Sequence, residues 1–266
     1  MKNRFTLAEG PRRTGDSATN FGKTLRLWDS AGFTLAEVLI TLGIIGVVSA
    51  MTIPTLMTNI RGQQYRGQFK KTLSTLNQAV RMNKANYDFD FADLEDVQCG
   101  ERNKVNGHAE WVNIANDNPE VNKTVCAIFN GNLKGASYIQ PEMEYFENVK
   151  SDYLDETYRG LVTADGSIIF FSEGLGLNHG NWDTGCYYDS NGQINDDFNC
   201  IGFIDVNGTT LPNKEVQCSN EDTELLKKEP CIVKSKDMGD IFPVVFHDAT
   251  VEPASNAAMY VLNTAK

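Results

Sequence analysis

Gly32-Phe33-Thr34-Leu35-Ala36-Glu37 places a glycine–phenylalanine bond shortly before a carboxylate, at the mouth of the long apolar run of the chain. From Phe33 to Ile60, Glu37 is the single charged side chain. An ionised carboxylate in lipid is costly unless a cation or several donors meet it. Cutting the Gly32–Phe33 bond would create such a cation, the new terminal amine of Phe33, with Glu37 as the fifth residue of the processed chain. The chemistry these residues offer is cleavage and amine modification of the chain itself. It also includes amine–carboxylate attraction at low dielectric, within one copy or between neighbours.

Three other sets of residues could do chemistry. Six cysteines, Cys99, Cys126, Cys186, Cys200, Cys218 and Cys231, all follow the apolar run. An even number in that part of the chain predicts disulfides in an oxidising compartment, and the short local loops favour 99–126, 186–200 and 218–231. No CxxC pair accompanies them, so a zinc site is not indicated. Asp189, Asn191, Asn195 and Asp197 alternate oxygen side chains in a way that suits calcium. Gly192 falls too early for an EF-hand loop, however, and a solvated, disulfide-tied turn has the same composition. His108, His179 and His247 are far apart, and none adjoins a nucleophile motif, so the sequence does not point to an enzyme.

Charge says which side of a membrane these groups face. The net charge of −11 argues against a nucleic-acid groove. Residues 1–32 hold six basic and three acidic residues, leaving 18 basic and 32 acidic in the remainder. A basic start, an apolar run and an acidic body fit the positive-inside rule with the body exported. Val38 to Met57, about twenty residues, can cross the roughly 30 Å hydrocarbon core as a helix. A secretory signal peptide has a shorter apolar region of about 7–15 residues and a small-residue site after it. A plain signal anchor, with Glu37 at the interface, and an anchor processed at Gly32 both fit the length. The string FTLAE also occurs at Phe5–Glu9, but Gly10-Pro11-Arg12-Arg13 follows it and bars that copy from the membrane.

The run from Gly32 through FTLAEVLITLGIIGVVSAMTIPTL resembles the leader junction of type IV pilins and type II secretion pseudopilins. The resemblance covers Gly32 to Ile60. It implies a prepilin-like structural subunit of a pilus or secretion pseudopilus. A membrane prepilin peptidase would remove the basic leader 1–32 by cutting between Gly32 and Phe33, then N-methylate Phe33. Glu37 would act in assembly. Gly46 and Pro54 would match the family's helix-breaking positions, between which the backbone melts in filaments. The implied partners are like or related pilin subunits, the peptidase, an inner-membrane assembly platform and membrane lipid. The implied location is a single-pass inner-membrane protein with its C-terminal domain exported, reaching a filament, the periplasm or the cell surface after assembly. A leader of 32 residues is long for this class. The alternative is an anchored extracytoplasmic binding domain that does not polymerise.

The elements that must position these residues read as follows. Residues 33–57 form the membrane and assembly helix. Residues 58–87 continue it, with Tyr65, Phe69, Leu73, Leu76, Val80 and Tyr87 at the three- and four-residue steps of one buried face. One helix from about Phe33 to Asn86 would be near 80 Å long. Residues 88–266 form the exported, disulfide-bonded α+β domain, with a short helix over 141–156. Hairpins are expected around Asp165-Gly166 and Asn207-Gly208, and strands over 241–246 and 258–262. The expected architecture is a long helix on an antiparallel sheet, a pilin-like roll.

Overall fold

A computed structural model describes residues 33–94, 101–105, 108–112, 120, 123–139, 149, 151, 154, 158–172, 175, 185–195, 199–227 and 229–264. Two compact units divide the chain, residues 1–50 and 51–266. Helix α1 spans Leu35–Tyr87 without interruption. Its last part buries Tyr65, Phe69, Leu73, Leu76 and Val80, with Tyr87 half-buried at the margin. Asp88 stops it: a φ of 59° turns the chain left-handed, and its N–H returns to the Lys84 carbonyl at 3.0 Å. A single 3-10 turn, Phe91–Asp93, follows, capped by Asp90.

Beyond it lie β1 (Glu101–Val105), β2 (His108–Val112), α2 (Val125–Asn132), β3 (Ser137–Ile139), β4 (Tyr158–Val162), β5 (Ile168–Ser172), β6 (Ile201–Asp205), β7 (Ile241–His247), β8 (Thr250–Pro253) and α3 (Asn256–Asn263). Among the described residues, strands β1 and β2 pair with each other alone. The other six form an antiparallel meander in the order β3-β4-β5-β6-β7-β8. The α+β arrangement read from the sequence is therefore the observed one, with α1 laid on an antiparallel sheet.

The central strands β5, β6 and β7 are buried along their whole length, because both faces of the sheet are covered. On one face Phe69 of α1 stacks on Phe242 of β7, ring centroids 4.3 Å apart, and Phe129 of α2 meets Phe171 and Phe246. On the other face Leu154, Tyr158, Ile168, Phe170, Ile201 and Phe203 form a second cluster. The strands and the Phe246 ring pack so closely that Gly202 admits no side chain: a Cβ there would lie 2.3 Å from the Phe170 carbonyl oxygen and 2.4 Å from the Phe246 ring. The edge of β8 is closed by a side chain. Asn77 of α1 donates to the Val251 carbonyl at 2.7 Å and accepts from the Val251 N–H at 3.0 Å, mimicking another strand.

Three expectations need correction or lie out of reach. Residues 258–262 form no strand but the heart of α3, since Ser255 caps a helix by accepting from the Ala258 N–H at 3.1 Å. Ala257, Ala258 and Val261 then fall on one buried side. The Asn207-Gly208 turn exists but makes no hairpin. Both edges of β6 are already paired, to β5 and β7, so Thr209–Leu211 has no strand edge to join. The helix expected over 141–156 falls almost wholly outside the described residues.

The β4–β5 hairpin turns at Gly166, φ 87°. Beside it Asp165 accepts from Thr163 Oγ1 at 2.6 Å and from Lys71 Nζ at 2.9 Å, which ties the hairpin to α1. Burial works to raise the Asp165 carboxyl, but the bonds from Thr163, Lys71 and Ser167 outweigh it and hold the group well below the ordinary carboxylate range. A carboxyl depressed in the folded state stabilises above its unfolded value, about 3.9, and loses that contribution as pH falls toward the folded value. The wild-type melting temperature should therefore drop as pH is lowered below about 4. In Asp165→Asn the part of that drop due to this residue should be missing. Superimposable profiles would remove Asp165 from the account.

Candidate assembly site on the N-terminal helix

Helix α1 starts with a reciprocal cap. Thr34 is the residue before the first turn, and Glu37 lies three residues on. The Glu37 Oε2 accepts from both the Thr34 N–H and the Thr34 hydroxyl at 2.8 Å, and Thr34 Oγ1 accepts from the Glu37 N–H at 3.3 Å. Thr-x-x-Glu is the sequence signature of such a capping box. Thr34 and Glu37 carry that spacing in the sequence. The carboxylate therefore has a local partner in the chain, and among the described residues only its Oε2 is engaged.

Phe33 precedes the cap, 86% exposed, while Gly32 and the leader lie outside the described residues. From Leu35 to Ile60 the large apolar side chains are exposed: Leu39, Ile44, Val48, Ile53 and Leu56 among them. This part of α1 is long and apolar enough to cross a membrane. Such a surface is unstable in water and stable only against lipid or other helices. Gly46 and Pro54 do not break the helix in this structure, which continues through both. A proline deletes one backbone hydrogen bond and a glycine weakens the turn, but neither must end a helix with long intact flanks.

The cysteines are oxidised. Cys186 is bonded to Cys200 and Cys218 to Cys231. Cys126 is also disulfide-bonded, and Cys99, its expected partner, lies outside the described residues. The Cys218–Cys231 bridge has Glu221 beside it, but sulfurs joined to each other offer no thiolate to a metal.

The oxygen-rich loop uses its side chains on its own backbone. Asp189 Oδ1 accepts from the Asn191 and Gln193 N–H groups at 2.8 and 2.9 Å, forming an Asx-type turn. Asn195 bridges the loop base, accepting from Tyr187 N–H and donating to the Gly185 carbonyl, each at 2.9 Å. Asn191 donates its amide to Asp189 Oδ2, and Asp197 lies outside the described residues. This arrangement builds a turn.

One polar cluster escaped the sequence reading because its members are distant in the chain. Tyr188 donates to Glu252 Oε1 at 2.9 Å, and its ring lies edge-on to His247 with centroids 4.5 Å apart. Burial, reinforced by the Glu252 carboxylate, pushes the Tyr188 phenol up to about 12. His247 Nδ1 lies 3.0 Å from Asp248 Oδ2. The cluster ties the Cys186–Cys200 loop to the end of the sheet. No nucleophile joins it among the described residues; His108 carries no described side chain, and His179 lies outside the described residues.

A family model described as the prokaryotic N-terminal methylation motif matches residues 29–53. No curated protein and no solved structure matches the chain. The motif is typical of type IV pilins and pseudopilins, which are structural proteins rather than catalysts. It begins ahead of Gly32, spans the Thr34–Glu37 cap and ends one residue before Pro54, within the exposed apolar part of α1. A hydrophobic helix headed by this motif is what a membrane-anchored prepilin has. The chain carries the prokaryotic N-terminal methylation motif, at the head of a prepilin-like helix.

Proposed function

We propose that the protein is a structural subunit of a type IV pilus or a type II secretion pseudopilus. The observation that carries the reading is one helix with two surfaces: an exposed apolar part headed by the methylation motif, then a part buried on the domain's sheet. In this reading residues 1–32 are a leader removed by a prepilin peptidase after Gly32, and Phe33 becomes the methylated terminus. Residues 33–57 lie in the inner membrane before assembly and among sister helices after it. Residues 58–87 carry the exported domain, 88–266, whose disulfides suit an oxidising compartment. An inner-membrane platform lifts the processed subunit, and the Phe33 amine of one subunit meets Glu37 of another. Backbone between Gly46 and Pro54 melts on assembly, as glycine and proline favour.

Mass spectrometry of protein extracted from the native membrane tests the processing step. The expected N-terminal peptide begins at Phe33 and carries one methyl group. A chain beginning at Met1, or after Ala50, would overturn the reading. A second reading has one observation in its favour. Because Thr34 already holds Glu37, the helix is a complete anchor on its own, and the chain could hold a binding domain at the membrane without polymerising.

A further inference from the structure

The base of the domain carries a second surface that the motif does not explain. Ser235 Oγ lies 2.5 Å from Asn59 Oδ1, and Met238 packs against Gly62 of α1. The segment 231–238 is thereby fixed beside the helix where its exposed apolar run ends, after Met57 and Ile60. This segment reads Cys-Ile-Val-Lys-Ser-Lys-Asp-Met. Ile232 is 50% exposed, Lys234 and Lys236 are exposed, and Arg61 is the first charge after the run. Among the described residues, no carboxylate pairs with Arg61, Lys234 or Lys236.

Glu221 lies beside Cys231 at the start of the segment, while two other acids are engaged by donors of their own. Asp237 accepts from Ser219 Oγ at 2.6 Å. Asp240 is buried and accepts from the Asn213 and Lys214 N–H groups at 3.0 and 2.7 Å. The acidic loop residues around Glu224 and Leu226 run toward α3 and β8, bonded to Asn256 and Ala254. The Cys218–Cys231 disulfide holds the start of the segment. The result is a segment with two exposed lysines and one exposed isoleucine, with Glu221 beside its first residue, in a chain of net charge −11. Basic residues just outside a span also run against the usual bias, which puts them on the cytoplasmic side.

We propose that Arg61, Ile232, Lys234 and Lys236 form a lipid-facing foot that seats the domain on anionic phospholipid headgroups of the membrane that α1 spans. The inference rests on the membrane-anchored reading above. Lysine and arginine on a surface held at headgroup level are attracted to anionic lipid, and an adjacent apolar side chain enters the boundary region. The foot holds the domain down before assembly, and drawing the subunit into a filament releases it.

The test uses the full-length chain, reconstituted in vesicles of phosphatidylcholine alone or with about one third phosphatidylglycerol, brominated near the glycerol backbone. Ile232→Trp reports lipid contact as quenching in excess of the wild-type tryptophans. Quenching in the anionic vesicles should be at least about twofold that in the neutral ones and should fall away at high salt. It should also fall to the neutral level when Lys234→Glu and Lys236→Glu are added. Equal quenching in both lipids, or no change on charge reversal, overturns the foot. Flotation with the vesicles after a carbonate wash reads the span separately. Lost flotation defeats the anchored reading, whereas retained flotation without differential quenching defeats the foot alone. If Ile232→Trp fails to fold, hydrogen exchange over residues 231–238 of the wild type replaces it. Slower exchange in anionic vesicles supports the foot, and equal exchange overturns it.

Discussion

Glu37→Ala is expected to lower the yield of sheared filaments, or of cross-linked multimers in the membrane, by about an order of magnitude or more at equal expression. Insertion should persist, because alanine is a better helix former in lipid than a carboxylate is, and cleavage should persist because the Gly32–Phe33 bond is unchanged. The geometry sharpens this expectation. Thr34 occupies Oε2 of Glu37 alone, so Oε1 can accept an incoming amine without dismantling the cap. The cap thus fixes the rotamer that presents the second oxygen. Two further variants separate charge from capping. Glu37→Gln keeps an acceptor and loses the charge, so it should assemble as poorly as alanine if amine attraction matters. Thr34→Ala loses the hydroxyl but keeps the backbone N–H and the charge, so its loss should be smaller. Wild-type yields from Glu37→Ala would leave the residue as a cap and favour the non-polymerising anchor.

The long helix was legible because two simple patterns meet in it: a run without charge, then apolar residues at helical steps. Its observed bounds, Leu35–Tyr87, are nearly those read from the sequence. The β4–β5 hairpin was legible because Asp165-Gly166 supplies a turn between Leu161-Val162 and the apolar run Ile168–Phe171. Where the apolar pattern failed, a cap or a tertiary partner decided. Ala258-Met259-Tyr260-Val261-Leu262 is too short an apolar run to show its period, and the deciding signal was the Ser255 cap. Strand β8 reads Thr-Val-Glu-Pro, a weak strand on its own, and it is held by β7 and by the Asn77 amide from far away in the chain. The Asn207-Gly208 turn could not reveal that β6 would be interior to the sheet.

The candidate site divides in the same way. Glu37 was conspicuous as a lone charge, whereas its cap required a reading of Thr34 and Glu37 as one unit. The oxygen-rich loop was conspicuous by composition, and composition alone cannot tell a turn that bonds its own backbone from one that binds a cation. The basic foot left little trace in the sequence, because Asn59 and Ser235 meet only when the segment before β7 folds back on α1.

Phe242→Ala and Phe69→Ala should each destabilise the domain by about 3–5 kcal/mol, the usual cost of removing a fully buried aromatic side chain. Both residues are 0% exposed, and their stacked rings lie 4.3 Å apart with planes inclined by 14°. Phe69 of α1 stacks on β7, an interior strand, so the pair joins the helix to the middle of the sheet. Each truncation leaves a cavity walled by strands already paired on both sides, which cannot collapse inward without breaking their ladders. The two losses should not add. The double variant empties one shared space and loses the ring contact only once, so its cost should fall short of the sum by about 0.5–1.5 kcal/mol. Denaturant unfolding of the full chain in detergent, followed by near-UV circular dichroism, measures all three. Leu56→Ala is the control, since Leu56 is 60% exposed in the apolar part of α1 and should leave that transition unmoved. A change below about 1 kcal/mol for Phe242→Ala would mean that the helix is not held to the sheet by this contact.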